Sequence, residues 1–282
     1  MKVALVVVFL VIAVGVSVGA QSNELNGPVA AVEAWVYTTE VSFGETVEIW
    51  ESHKATSYDA EGNIIEEVEY SASGNVVTRT VHKYDVSCCR VESIQYGSSG
   101  AIEERMKREC DSAGREVQVD AYDSSGRLTS RAFTEFEGGL MRGRQYDASG
   151  RLTIAVDLEE DSNGSNTRMV LYDKDTGEPS SVIESEYTDA GKLLSTLMYG
   201  EDGKLLGEIR YEYAYKKDGM DEVTTSTSYL VGIPLNSTTK GMVTLLDSYG
   251  NWTEKRTYKQ EEQYGQTKWT LTDVERRTIQ YR

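Results

Sequence analysis

Several residue types are scarce in this chain, and each scarcity excludes a class of protein. Proline occurs only three times in 282 residues, so extended strands are seldom interrupted. There are two histidines and three cysteines, and their spacing is not that of a zinc site. No GxSxG, HExxH, Walker or dinucleotide-binding glycine motif occurs. We therefore expect no enzyme activity, no metal and no cofactor.

Basic residues are also few, with 29 Lys and Arg against 46 Asp and Glu, giving a net charge of −17. Nucleic-acid binding requires clustered Lys and Arg, and an acidic surface does not dock on anionic lipid. Both classes of partner are excluded. A charge of this size keeps a secreted, β-rich protein soluble.

Long apolar runs are absent except at the N-terminus. Lys2 is followed by an apolar run and by small residues ending at Ala20, which is typical of a secretory signal. We predict a signal peptide over 1–20 and an exported protein of the periplasm, outer surface or extracellular space. An uncleaved anchor is the alternative, because about 18 apolar residues can just span a bilayer. After cleavage we expect no stable membrane span.

Turn-like tetrapeptides that end in glycine recur along the chain. Most neighbouring copies lie about 12 to 16 residues apart, which leaves strands of about eight or nine residues between turns. Asp or Ser in first place favours a type I turn, and glycine in fourth place supplies the positive φ of the following bulge. The structural turn positions that we predict are Asp59, Gly62, Asp111, Gly114, Asp123, Gly126, Asp147, Gly150, Asp247 and Gly250.

The clearest copies are YDSSGRLT at 122–129 and YDASGRLT at 146–153. In a bulged hairpin the first turn residue faces the residue after glycine, so each Asp meets the following Arg as a charge pair. At the next position away from the turn on each strand, Tyr faces Leu. The predicted pairs are Asp111 with Arg115, Asp123 with Arg127, Asp147 with Arg151, Tyr122 with Leu128, Tyr146 with Leu152, and Tyr58 with Ile64.

Apolar and polar residues alternate between these turns, for example along 152–159, which indicates strands with one buried face. We predict an all-β fold, a long antiparallel meander of hairpin repeats forming a strongly curved or spiral sheet or an incomplete barrel. The repeat domain covers 46–282. The segment 21–45 lies outside the repeat, and the sequence leaves open whether it packs on the sheet.

The odd number of cysteines leaves one thiol without a partner. Counting outward from the turn at 97–100 places Cys88 opposite Cys110, and we predict a disulfide between them. A register slip of one residue would pair Cys89 with Cys110 instead.

Three other groups of residues are candidate sites. Tyrosine is frequent, and Tyr211, Tyr213, Tyr215, Trp252 and Trp269 form a candidate binding surface for sugar rings or a partner, or else fill a thin core. The acidic turn at Asp173, Asp175 and Glu178 is a weak calcium candidate that lacks the full EF-hand pattern. His53 and His82 are either a catalytic pair or polar strand residues.

The motif YDxxGRLT resembles the YD repeat of Rhs-type wall and toxin proteins of bacteria. The closing segments DSYGNWTEKRTY (247–258) and VERRTIQY (274–281) resemble the end of small secreted YD-like proteins. The resemblance implies an all-β spiral sheet and either carbohydrate binding or toxin encapsulation. This chain lacks the length of a closed shell and has no recognisable toxin domain. A more distant likeness is to MORN-like hairpin repeats, some of which serve as antitoxins.

These observations favour an exported, non-enzymatic binding or structural module of the cell envelope. It would engage an envelope protein or polysaccharide through its sheet face or through an open terminal strand. The alternatives are a periplasmic immunity-type protein that neutralises a toxin and an envelope glycoside hydrolase.

Overall fold

A computed structural model describes residues 25–42, 45–189, 191–215, 222–230, 233–263 and 266–282. It gives no side-chain description for 212–215, 222–230, 233–240 and 262–263. The signal-peptide prediction for 1–20 lies outside the described residues. Within them the chain forms eighteen strands: β1 (Val29–Ser42), β2 (Glu45–Tyr58), β3 (Ile64–Tyr70), β4 (Val76–Tyr84), β5 (Arg90–Gly97), β6 (Ile102–Cys110), β7 (Glu116–Asp123), β8 (Leu128–Glu137), β9 (Leu140–Asp147), β10 (Leu152–Glu160), β11 (Asn166–Tyr172), β12 (Pro179–Tyr187), β13 (Leu193–Gly200), β14 (Leu205–Tyr215), β15 (Glu222–Leu230), β16 (Ile233–Leu246), β17 (Trp252–Gln263) and β18 (Gln266–Tyr281).

The strands form one antiparallel sheet in which sequence neighbours pair, so the predicted all-β meander is confirmed. The segment 21–45, which lacks the repeat, contributes β1. This strand pairs with β2 on one side and with β18 on the other. Hydrogen bonds thus occupy both sides of β1, and β18 pairs with β17 as well as with β1, so neither of these two strands offers the open edge that the sequence led us to expect.

The chain divides into two compact units. The first contains Lys83–Ile94 and Ile102–Leu206, and the second contains Leu25–His82, Gln95–Ala101 and Gly207–Arg282. The first unit has an aliphatic core in which Val156, Leu158 and Leu171 are buried. In the described part of the chain, no helix has the length and hydropathy that crossing a bilayer requires.

The predicted turn chemistry is confirmed. In the turn at 147–150, the Gly150 amide donates to the Asp147 carbonyl at 2.9 Å, and Asp147 N donates to Arg151 O at 2.9 Å. Gly150 has a φ of 82°, a conformation that strains any residue with a Cβ. The predicted pairs of Tyr with Leu or Ile are in register, and each predicted Asp–Arg pair forms an ion pair.

A second bulge follows each of these turns, and the sequence reading missed it. Tyr146 faces Leu152, but the next pair is Gln145 with Ile154, so Thr153 has no partner residue and the register shifts by one. The Thr153 hydroxyl donates to the Gln145 carbonyl at 3.0 Å. Thr129 makes the equivalent bond to Ala121 O at 3.1 Å. The final threonine of YDxxGRLT therefore satisfies a carbonyl at the bulge.

The predicted Cys88–Cys110 disulfide is wrong. The disulfide joins Cys89 to Cys110, and Cys88 is free and exposed. The Cα atoms of Cys89 and Cys110 lie 6.4 Å apart, so the partner of Cys110 is one residue further along the chain than the count from the turn predicted. Cys88 is instead the fourth residue of a turn that begins at Asp85, and its amide donates to the Asp85 carbonyl at 3.1 Å. The alternative pairing left open by the sequence is thus the one observed.

Candidate functional site

The first unit contains a cleft at the end of its hairpins, which we call the cysteine cleft. It has a volume of about 510 Å³, within the range of roughly 300–1,000 Å³ found for small-molecule sites. The turns at 85–88 and 111–114 and the adjoining strand ends of β8 to β11 bring its residues together. The lining residues that matter below are Cys88, Cys89, Arg90, Cys110, Arg115, Glu116, Thr134, Phe136, Met141 and Asn166.

Arg115 and Phe136 form one wall of the cleft. Arg115 follows the turn glycine, and its Nη2 lies 2.6 Å from Asp111 Oδ2. That hydrogen bond to Arg115 lowers the pKa of Asp111. The guanidinium carbon also lies 4.2 Å from the centre of the Phe136 ring, a cation–π distance. Half of the Arg115 side chain is exposed, so the wall presents a cation that lies over one face of an aromatic ring.

Arg90 and Glu116 lie at the base of the cleft, and Arg108 lies beside them. Arg90 Nη2 and Arg108 Nε are both 3.3 Å from Glu116 Oε1. The Arg108 side chain is 5% exposed, and its Nη1 donates to Ser93 Oγ at 2.8 Å. Burial, followed by the neighbouring Arg90 charge, lowers the pKa of Arg108. Glu116 Oε1 therefore pairs with two guanidinium groups.

Some polar atoms of the lining have hydrogen-bonding capacity left over. Among the described residues, Arg90 Nε, Glu116 Oε2 and Asn166 Oδ1 are buried and make no hydrogen bond. One is a donor and two are acceptors. A buried polar group without a partner costs about 1–3 kcal/mol, so the base of the cleft favours a ligand that both donates and accepts hydrogen bonds.

The predicted aromatic surface does not come together among the described side chains. Trp252 is covered by the Arg277 guanidinium, whose carbon lies 3.6 Å from a ring centre. Trp269 pairs with Gln260, which lies eight residues from Trp252 on β17, or about 26 Å at the usual strand rise. Burial raises the pKa of the half-buried Tyr211. The side chains of Tyr213 and Tyr215 lie outside the described residues.

The two histidines lie on opposite faces of the sheet. His53 stacks between Trp35 and Tyr70 at 4.8 and 4.6 Å, and these three residues are direct cross-strand partners. The three rings are nearly parallel and stack along the cross-strand direction. They therefore expose their edges, and not their faces, to solvent. His82 contacts Glu67 at 3.2 Å, and Glu67 is three residues from Tyr70, which places it on the other face. A His53–His82 pair is therefore not formed.

The acidic turn at 173–178 uses its carboxylate for its own backbone. Asp173 Oδ1 accepts hydrogen bonds from Asp175 N and Thr176 N at 3.0 and 2.8 Å, and these interactions lower its pKa, led by that with Thr176. Asp175 pairs with Lys174 at 2.6 Å. In the described part of the chain, no cluster of three or more His, Cys, Asp or Glu side chains is arranged to bind a metal.

Sequence reasoning missed the cysteine cleft, although a signal for it was present. DVSC at 85–88 has the spacing of a turn but carries cysteine where the other copies carry glycine. The gap between the turns ending at Gly74 and Gly100 is twice the usual spacing, which indicated an irregular turn between them. Phe136 and Asn166 had no such signal, because their meeting depends on strands that are distant in sequence.

Comparisons with known proteins identify no family for this chain. No family model matches the chain, and no curated protein matches it. Among solved structures, a porin-like protein from Bacteroides uniformis is 12% identical, with 91% of this chain and 98% of that chain covered and a TM-score of 0.32. A putative outer membrane lipoprotein-sorting protein domain from Vibrio parahaemolyticus is 8% identical, covering 89% and 86%, with a TM-score of 0.24. TcdB2-TccC3 is 15% identical with a TM-score of 0.17, and the match covers 83% of this chain but 16% of that one. At these scores the likenesses assign no function.

Proposed function

We propose that the chain is an exported, non-enzymatic binding module of the bacterial cell envelope, and that its cysteine cleft binds a glycan. The observation that carries the proposal is the lining, which combines spare donors and acceptors with the aromatic ring of Phe136. Each sugar hydroxyl both donates and accepts. The apolar face of a sugar ring packs on an aromatic side chain, and Arg115 covers only one of the two faces of the Phe136 ring.

A binding role is supported by the ion pairs at the cleft, where Glu116 Oε1 is held by Arg90 and Arg108. Export is supported by the Cys89–Cys110 disulfide, because such bonds persist in oxidising compartments, and by the N-terminal sequence pattern.

The test is a panel of soluble envelope glycans, namely peptidoglycan fragments, lipopolysaccharide oligosaccharides and capsular polysaccharides, followed by calorimetric titration. Two variants form a matched pair. Arg115 and Arg127 hold the same position in the same kind of turn, but Arg115 lines the cleft and Arg127 is 81% exposed outside it. We expect Arg115→Ala to weaken binding about tenfold or more and Arg127→Ala to leave it unchanged.

A second pair tests the aromatic ring. Phe136 lines the cleft, whereas Phe133 on the same strand is 40% exposed and contacts the Tyr146 ring. We expect Phe136→Ala to reduce affinity and Phe133→Ala to have no effect on it. A panel in which no glycan binds, or equal losses within both pairs, would overturn the proposal.

A further inference from the structure

The three cysteines meet in one place, and the fold leaves one of them reduced. Cys88, Cys89 and Cys110 all line the cysteine cleft. Cys88 is exposed and free, while Cys89, its neighbour in the chain, is 4% exposed and bonded to Cys110. A free thiol thus opens on the same cavity as a disulfide that contains the next residue. The cavity therefore brings together the two groups that thiol–disulfide exchange requires, a thiol and a disulfide.

We propose that Cys88 exchanges with this disulfide, so that the chain interconverts between a Cys89–Cys110 form and a Cys88–Cys110 form. In the step, the Cys88 thiolate attacks Sγ of Cys110, a bond forms between these two sulfurs, and the bond between Cys110 and Cys89 breaks. Cys89 leaves as a thiolate and takes up the proton that Cys88 lost. The reaction is redox-neutral and requires no oxidant.

Burial selects which sulfur is attacked. Cys110 is half-buried, whereas Cys89 is almost completely buried, so a nucleophile that approaches through the cleft reaches Cys110 first. Attack on Cys89 would instead join two adjacent residues. A bond between neighbours in the chain is disfavoured, because the Cα atoms of adjacent residues are 3.8 Å apart and most disulfides span about 4.4–6.8 Å.

The conformation of the turn at 85–88 affects the relative stability of the two disulfide forms. Asp85 Oδ1 accepts hydrogen bonds from Ser87 N and Cys89 N at 2.8 and 3.0 Å, which hold Cys89 in its strand. Cys88, however, has a φ of 60°, a conformation that strains a residue with a Cβ. We expect exchange to relieve this strain and to weaken the Asp85 hydrogen bonds, so the two contributions oppose each other.

The experiment locates the free thiol. The purified, oxidised chain is incubated in native buffer at about pH 8.5, near the ordinary pKa of a thiol, and then quenched with acid, unfolded and alkylated with maleimide. Peptide fragmentation between Cys88 and Cys89 assigns the label. A parallel sample is kept at about pH 5, where thiols are protonated and exchange does not occur.

We expect label on Cys88 alone at low pH, and on Cys89 in roughly one chain in ten after incubation at high pH, the population of a minor state close in energy. Label confined to Cys88 at both pH values would overturn the proposal, and so would label on Cys110, which would show attack on the wrong sulfur.

A variant provides an independent readout. In Cys89→Ser only Cys88 and Cys110 remain, and we expect them to form a disulfide on air oxidation with the far-ultraviolet circular dichroism of the native sheet retained. Two free thiols in a folded Cys89→Ser chain would contradict the proposal. These outcomes do not depend on glycan binding, so a failure of the proposed function would leave them unchanged.

Discussion

The two ends of the hairpins in the first unit are built from the same turn but differ in what surrounds it. At 123–126 and 147–150, each Asp holds its turn and pairs with an Arg that projects into solvent. At 111–114 the same Asp–Arg pair forms, yet its Arg115 lies over Phe136 and lines the cysteine cleft. Beside it, the turn at 85–88 has cysteine in place of glycine. The repeat thus supplies the frame, and the candidate site lies where the repeat is broken.

The disulfide is the largest difference between the two ends, and removing it should have the largest effect. Cys89 and Cys110 are 21 residues apart, and closing a loop of that length in the unfolded chain stabilises the fold by about 3 kcal/mol. We expect Cys110→Ser to lower the free energy of unfolding in urea by about this amount. Cys88→Ser is the control, with an expected change within about 0.5 kcal/mol. Equal losses in both variants would show that the stabilisation does not come from the bond.

Substitution of the fourth turn residue should change the free energy of unfolding in opposite directions at the two ends of the hairpins. Gly126 has a φ of 80° and no atom within 4 Å of an added Cβ, so Gly126→Ala tests backbone strain alone. We expect it to lower the free energy of unfolding by about 1 kcal/mol. Cys88→Gly removes the same strain and should raise stability by about 0.5 kcal/mol, after the entropy of glycine in the unfolded chain is deducted. A loss of stability in Cys88→Gly would mean that the thiol contributes packing.

The smallest expected change in stability is that caused by acid at the turns 123–126 and 147–150. Hydrogen bonds from Ser125 and from Ser149, followed by those from the arginines, lower the pKa of Asp123 and of Asp147 to about 2. The unfolded value is about 3.9, so their stabilisation is fully present above that pH and is lost as the pH falls towards 2. The effect is small because these carboxylates lie at the surface, where solvent and salt screen their interactions.

The measurement for this prediction is the urea midpoint between about pH 5 and pH 2. Asp123→Asn with Asp147→Asn should flatten the lower part of the curve, since Asn keeps the turn but does not titrate. A curve that is as steep in the double variant as in the native chain would assign acid sensitivity to other groups, such as Glu67. The hydrogen bond with His82 and the interaction with Lys54 lower the pKa of Glu67 to about 2.

The repeat made the fold predictable, because each turn residue acts on its own backbone within five positions. The Asp147–Arg151 pair and the Tyr146–Leu152 register follow from turn geometry alone. The second bulge at Thr153 did not follow, because its hydroxyl bonds to a carbonyl across the hairpin. A difference of the same size, one residue, separates the predicted Cys88 from the observed Cys89 as the partner of Cys110.

The candidate site was not predictable by the same means. Phe136 and Asn166 meet Cys89 only after several strands have paired and the sheet has brought their ends together. Aromatic content pointed instead to Trp252 and Trp269, which lie far apart along their strands. Composition reports which side chains are available, whereas the register of distant strands decides which of them share a cleft.

The most direct test of the central claim uses Cys88 as a reporter inside the cleft. Its rate of reaction with maleimide would be measured in the native chain, with and without a saturating amount of the oligosaccharide that binds tightest in the panel. A ligand that occupies the cysteine cleft should cover the thiol and slow labelling about fivefold or more, and the Arg115→Ala variant should lose this protection at the same ligand concentration. Binding of the oligosaccharide with an unchanged labelling rate would show that the ligand binds elsewhere and would contradict the account.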